Sequence, residues 1–94
     1  MDDEIWRPIK KYEGIYEISS YWRVRSLDRY DRRGTFHKGR FLKTRKKSLA
    51  VGHEGIYVRL SKNGQCRDMD IQYIMVRTFE DSDDFQVILS RKPQ

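Results

Sequence analysis

The sequence predicts a small single α+β domain: an antiparallel sheet of four to five short strands with one helix near residues 70–79. Three observations carry that reading. Ile56, Val58 and Leu60 alternate with Tyr57, Arg59 and Ser61, the period-two spacing of a strand with one buried face. Asn63-Gly64 follows that run and is the dipeptide best suited to a two-residue hairpin turn. Beyond Asp70 the period lengthens, and Ile71, Ile74, Met75 and Phe79 share one helical face, with Asp68 or Asp70 available as cap. Ninety-four residues allow one modest core, and a 37% hydrophobic share makes that core thin and aromatic.

Taken in order, residues 1–4 are expected to be loose and Glu4–Ile9 extended, because Pro8 disfavours helical geometry at Arg7. Trp6 and Ile9 are the expected anchors of this segment. Glu13-Gly14 reads as a turn. Tyr16–Ser19 and Arg23–Leu27 read as two strands joined tightly through Ser20–Trp22, with Val24 inward and Arg23 and Arg25 on the opposite face. Asp28–Lys38 reads as a loop or flexible hairpin arm. Gly39–Thr44 is predicted as a short strand with Phe41 and Leu42 as core candidates, and Thr44–Ser48 as an exposed basic turn. Gly55–Ser61 and Gln65–Asp70 form the hairpin, and the helix ends at the acidic cluster Glu80–Asp84. Phe85–Leu89 is predicted as a last strand and Ser90–Gln94 as a frayed tail.

Charge is unevenly placed. Residues 21–67 hold fourteen basic and three acidic groups, a net +11, while the flanks are acidic: three against five before, three against six after. A middle stretch this basic attracts polyanions. Guanidinium groups fork onto phosphates and guanine edges, aromatic rings stack on bases, and a β-ribbon fits the major groove. The candidate contacts are Arg23 and Arg25 on the strand face, Arg29, Tyr30, Arg32 and Arg33 in the arm, and Arg40, Lys43, Arg45, Lys46 and Lys47 beyond it.

Other chemistry is poorly supplied. A zinc site needs about four ligands, and the chain offers Cys66, His37 and His53. Cys66, the only cysteine, excludes an internal disulfide and is read as a buried or half-buried thiol. The spacing of Gly52 and Gly55 is not that of a phosphate loop, and the acidic cluster lacks the regular spacing of a calcium loop. No catalytic residue, metal or cofactor is therefore assigned. No apolar run approaches membrane-spanning length, and the acidic start MDDEIW is unlike a secretory signal. Cytoplasm or nucleoid is the expected location.

Several stretches carry a likeness. They are E-x-W-x-x-I over Glu4–Ile9, Y-E-G-x-Y-E-I-S over Tyr12–Ser19, R-V-R-S-L-D-R over Arg23–Arg29, K-G-R-F-L-K over Lys38–Lys43, and the hairpin from Gly55 to Gly64. Together they resemble the short modular domain that precedes the catalytic part of phage and intron-encoded HNH homing endonucleases. That resemblance implies a small β-rich module, spanning 4–64, that helps such nucleases hold DNA. Residues 65–89 then form a degenerate extension of the same globular unit, and 90–94 a tail.

Two departures stand out. In that family the hairpin leads into a helix of the form V-H-R-L-V-A-x-A-F. Here Ile71–Phe79 reads IQYIMVRTF, with Gln72 where the histidine falls, and no N-H-x-D-G follows. Nuclease activity by this chain alone is not expected, since an HNH site needs its histidine base and metal ligands. Ser20-Tyr21-Trp22 also replaces the usual asparagine, variable residue and glycine. Trp22 is accordingly read as an exposed or half-exposed contact. The expected function is a non-catalytic DNA-binding accessory or regulatory protein with double-stranded DNA as partner. The alternative is a phage-encoded protein–protein module or inhibitor that grips a nuclease or other nucleic-acid enzyme. Oligomeric state is left open.

Overall fold

Strand β1 (Trp6–Pro8) pairs with β2 (Tyr16–Ser19), and β2 with β3 (Val24–Ser26), all antiparallel. The computed structural model describes residues 3–48 and 54–93. Expectations for residues 1–2, for His53 and for residue 94 lie outside that range. A two-stranded arm follows, β4 (Arg29–Tyr30) with β5 (Phe36–His37). The third sheet is β6 (Arg45–Ser48), β7 (Glu54–Lys62) and β8 (Gln65–Asp70), in that order. Helices α1 (Ile71–Phe79) and α2 (Phe85–Ser90) close the chain. The architecture is α+β and antiparallel as predicted. Among the described residues it differs in having three small sheets in place of one of four to five strands, and two helices in place of one.

The hairpin and first helix match their sequence signals. Asn63 and Gly64 both adopt positive φ, at 54° and 78°, as a type I′ turn demands. Asp70 caps α1: its carboxylate accepts from the main-chain N–H of Gln72 and Tyr73 at 2.8 and 3.4 Å. Ile71, Ile74, Met75 and Phe79 are all buried. They share one core with Ile18 and Val24 of the first sheet and Ile56, Val58 and Leu60 of the third. Arg7 ties the N-terminal strand to the end of α1. Its guanidinium donates to the Thr78 carbonyl and to Asp81, both at 3.0 Å, and lies 5.0 Å over the Phe79 ring.

Four local expectations need correction. Phe85–Leu89 is helical: Phe85, Ile88 and Leu89 pack on the core at i, i+3 and i+4 while Val87 is exposed, a face a strand cannot present. Thr44–Ser48 is not a turn, since Arg45–Ser48 pairs with β7. Gly39–Thr44 reaches β3 through one bridge, Arg25 to Phe41, with Leu42 N–H bonded to the Val24 carbonyl. Adjacent residues of an extended segment face opposite ways. Leu42 therefore points with Val24 toward the core, and Phe41 is 57% exposed beside Arg25. A side chain at Gly39 would drive a Cβ to 2.4 Å from the Ser26 carbonyl, so the approach requires glycine. Finally, Cys66 is exposed on β8.

The largest correction is Trp22, which is buried at 3% exposure and belongs to the core. Its backbone is left-handed, φ 67°, a conformation normally left to glycine. Two buried serines hold this bend. The Ser19 hydroxyl accepts from the N–H of Tyr21 and Arg23 at 3.1 and 3.2 Å, and that of Ser20 from Ile5 N–H at 3.0 Å. The indole Nε1–H donates to the Ile88 carbonyl at 2.8 Å, so α2 completes the socket of the ring. Among the described residues no helix is long and apolar enough to cross a membrane.

Candidate nucleic-acid interface

Arg23 and Arg25 share the outer face of the first sheet, flanking inward Val24, as the alternation requires. They are not free cations. Arg25 donates to Glu17 through Nε at 3.0 Å and Nη2 at 2.7 Å, directly across the strand pair. Its guanidinium lies 3.9 Å from the Trp6 ring centre. Arg23 forks onto Glu4, with Nε–H donating at 2.8 Å, and stacks 4.8 Å from the Phe41 ring. The Arg23 hydrogen bond holds the Glu4 carboxyl below its usual range, and the same contact raises Arg23. The result is an electroneutral layer of rings and guanidiniums.

The arm is a short hairpin whose tip is organised by Asp31. Its carboxylate accepts from Arg33 and Thr35 N–H at 2.9 Å each and meets His37 Nε2 at 2.9 Å. The contact with His37 is the main reason its pKa is lowered. Tyr30, 71% exposed, packs against exposed Phe36 with ring centres 5.2 Å apart. Arg32 reaches across to Asn63 Oδ1 at 3.4 Å, which sets the arm beside the β7–β8 turn. Arg29 is half-buried, and Arg33 and Lys38 are exposed.

The third sheet gathers the strongest unneutralised charge among the sequence candidates. Pairing of Arg45 with Tyr57 and of Lys47 with Gly55 places both cations on the outer face of β6, the face that carries Arg59 on β7. Arg40 and Lys43, from the segment after the arm, border the same surface. Together they line a groove of about 490 Å³. Among the described residues Asp68 is the one carboxylate in this lining. It accepts from Lys47 at 2.7 Å and Arg59 at 3.2 Å, which lower its pKa in that order. Five cations against one carboxylate leave the groove at +4. Arg40, Lys43 and Arg45 make no ion pair with a described residue.

The sequence candidates therefore divide. Arg40, Lys43, Arg45 and Lys47 are brought together. Lys46, opposite Ile56, stands on the other face of β6. Arg29, Arg32, Arg33 and Tyr30 form a separate projection, Arg23 and Arg25 are neutralised, and Trp22 is removed to the core. Arg59 was missed as a contact, although its alternation with Val58 and Leu60 already placed it on the outer face. No described group of three or more His, Cys, Asp or Glu side chains is arranged to hold a metal ion.

In comparison with known protein families, the family model described as the NUMOD4 motif matches residues 4–61. That motif is associated with HNH and homing-endonuclease-related proteins. No curated protein and no solved structure matches the chain.

Proposed function

The chain belongs to the NUMOD4 family, and from that premise we propose that these residues form a non-catalytic module that holds double-stranded DNA through the outer groove of the third sheet. The observation that carries the reading is the +4 groove itself, where Arg40, Lys43 and Arg45 have no carboxylate partner among the described residues. Each can neutralise a phosphate and release a counterion, which makes binding tight at low salt and weak at high salt. Arg32 and Arg33 extend the positive surface along the arm. The main-chain pairing of β6 with β7 fixes the register of the strand-borne cations, so the groove is preorganised.

Duplex titration at two salt concentrations tests the reading. Arg40→Gln or Arg45→Gln should reduce the salt slope by roughly 0.9 each and weaken all duplexes about equally. Affinity no greater than that of a control protein of equal net charge would sink it. Non-catalytic action rests on Gln72, which stands where the resemblance calls for a histidine. Metal-dependent plasmid nicking by the purified chain, lost on substitution of one of its residues, would overturn that part.

A second reading has its own observation. The neutral face of Trp6, Arg23, Arg25 and exposed Phe41 combines the aromatic and arginine side chains that dominate protein–protein hot spots. It fits a protein partner such as a nucleic-acid enzyme. Arg23 lies outside the groove lining, so Arg23→Ala would then weaken partner capture and leave duplex binding unchanged.

A further inference from the structure

The β7–β8 hairpin has a second cationic groove on its other face. Pairing puts Arg67 opposite Leu60 and Met69 opposite Val58, so both point to the core side of the sheet. Past the end of the core this face stays open. Lys10 and Lys11 border it from the β1–β2 turn, Lys62 from the hairpin, and Arg77 from α1. The groove measures about 1000 Å³, and none of the described residues lining it is acidic. Lys62 is seated rather than free-swinging, with Nζ donating to the Lys11 carbonyl and lying 5.8 Å over the Tyr12 ring.

The lining is also aromatic and apolar, which separates it from a plain charged surface. Tyr73 is 57% exposed, and Arg77 lies one helical turn on, its guanidinium 6.0 Å from the ring. Tyr12 stands on the opposite wall, and Ile9, Met69 and Ile74 supply apolar surface between the two. A duplex offers its sugar–phosphate surface and base edges but keeps its base faces stacked. A single strand offers both phosphates and bare base faces, so it can use cations and rings together.

We propose that this groove is a binding site for single-stranded nucleic acid, with Arg67, Arg77 and Lys10 taking phosphates and Tyr73 stacking a base. The site is separate from the outer groove and takes a different form of nucleic acid. Its volume is at the top of the roughly 300–1,000 Å³ range of pockets that enclose small molecules, enough for a few nucleotides of one strand. A position across the same hairpin from a duplex-holding groove suits a protein that keeps hold of an unpaired strand near a duplex.

The test uses the whole chain and a fluorescein-labelled dT10 oligonucleotide, read by anisotropy, with an abasic strand of equal charge as comparison. Tyr73→Ala should weaken dT10 by about five-fold or more, the range for one lost base stack, and leave the abasic strand unaffected. Arg67→Gln with Arg77→Gln should flatten the salt slope for dT10 by roughly 1.4, since a single strand loses about 0.7 per phosphate contact. All three side chains face solvent, so melting points should stay at the wild-type value, and duplex affinity should survive. Arg45→Gln in the outer groove should show the reverse pattern. Equal binding of dT10 and the abasic strand would overturn the proposal, as would a dT10 affinity indifferent to Tyr73→Ala. An acidic peptide that competes with equal strength and the same Tyr73 dependence would assign the groove to a protein partner and also overturn it. Failure of duplex binding with dT10 binding retained removes the proposed function and leaves this site standing. The opposite result removes only this site.

Discussion

Trp22 supplies a test in which two substitutions must fall in an order opposite to the usual one. Removing the ring leaves a cavity among core side chains and deprives the Ile88 carbonyl of its 2.8 Å donor. Trp→Ala changes in cores cost about 3–5 kcal/mol. A chain of this length has a total stability of roughly 5–14 kcal/mol, at about 0.05–0.15 per residue. Trp22→Ala should therefore melt roughly 12 °C lower or more, at about 4–8 °C per kcal/mol. Trp22→Gly makes the same cavity but relieves the left-handed backbone at φ 67°. Strain there costs alanine about 1–2 kcal/mol. The greater freedom of glycine in the unfolded chain returns roughly 0.4–1 kcal/mol of that advantage. The balance at the middle of both ranges leaves Trp22→Gly more stable than Trp22→Ala by about 0.8 kcal/mol, and by up to roughly 1.6, although glycine is ordinarily the worse of the pair. Urea unfolding followed by circular dichroism, with equal slopes for both variants, reads the difference directly. An alanine variant as stable as the glycine one, or a melting point within a few degrees of wild type, would refute the strained-but-buried account.

Two further outcomes follow from the ion pairs. Asp68→Asn should free Lys47 and Arg59 and remove the one carboxylate of the outer groove. A unit charge about 7 Å from a phosphate shifts an equilibrium roughly threefold even in water, so duplex affinity should rise at least that much at low salt, with a steeper salt slope. An unchanged affinity would mean that DNA does not enter this groove. The pKa values of Glu4, Asp31 and Asp68 are all lowered, from ordinary values of 4.5, 3.8 and 3.8. Their stabilising contribution is complete above those ordinary values and is lost as pH falls through the lower folded ones. Melting temperature should thus be flat from pH 7 to about 5 and drop below about 4, with a shallower drop in Glu4→Gln. A melting point that climbs toward pH 3 contradicts the assignment.

What the sequence made legible was the part governed by local rules. Alternation at Ile56–Leu60, the Asn63-Gly64 turn and the spacing of Ile71, Ile74, Met75 and Phe79 each specify one geometry, and each appears in the fold. Errors arose where two periods fitted the same run. Phe85–Leu89 is apolar enough for a strand, yet its buried members stand at i, i+3 and i+4, a helical face visible in retrospect. Arg45–Ser48 carries no hydrophobic alternation at all. Only its pairing with β7 makes it a strand, and that contact is invisible in a run of charges. Trp22 misled for another reason. A residue-by-residue rule assigns glycine to such a bend, and the ring is retained there by α2, a segment that local pattern alone reads as a strand.

Charge is where the linear reading and the three-dimensional one diverge most. By segment, the middle of the chain is strongly positive and both flanks are negative. Folding redistributes that charge. Glu4 comes from the acidic N-terminal flank to neutralise Arg23, Glu17 faces Arg25 across a strand pair, and Asp68 from the acidic C-terminal flank bridges Lys47 and Arg59. Meanwhile Lys10, Lys11 and Arg77, three of the six cations of those two flanks, converge with Lys62 and Arg67 in a groove with no carboxylate among its described lining residues. Antiparallel pairing explains the pattern. It juxtaposes residues distant in sequence on one face, so a carboxylate opposite an arginine cancels it wherever their registers coincide. The arginines most conspicuous in the chain, in R-V-R, are thus the ones the fold spends internally. Among the strand-borne cations, Arg45 opposite Tyr57 and Arg67 opposite Leu60 have uncharged cross-strand neighbours and no ion pair with a described residue.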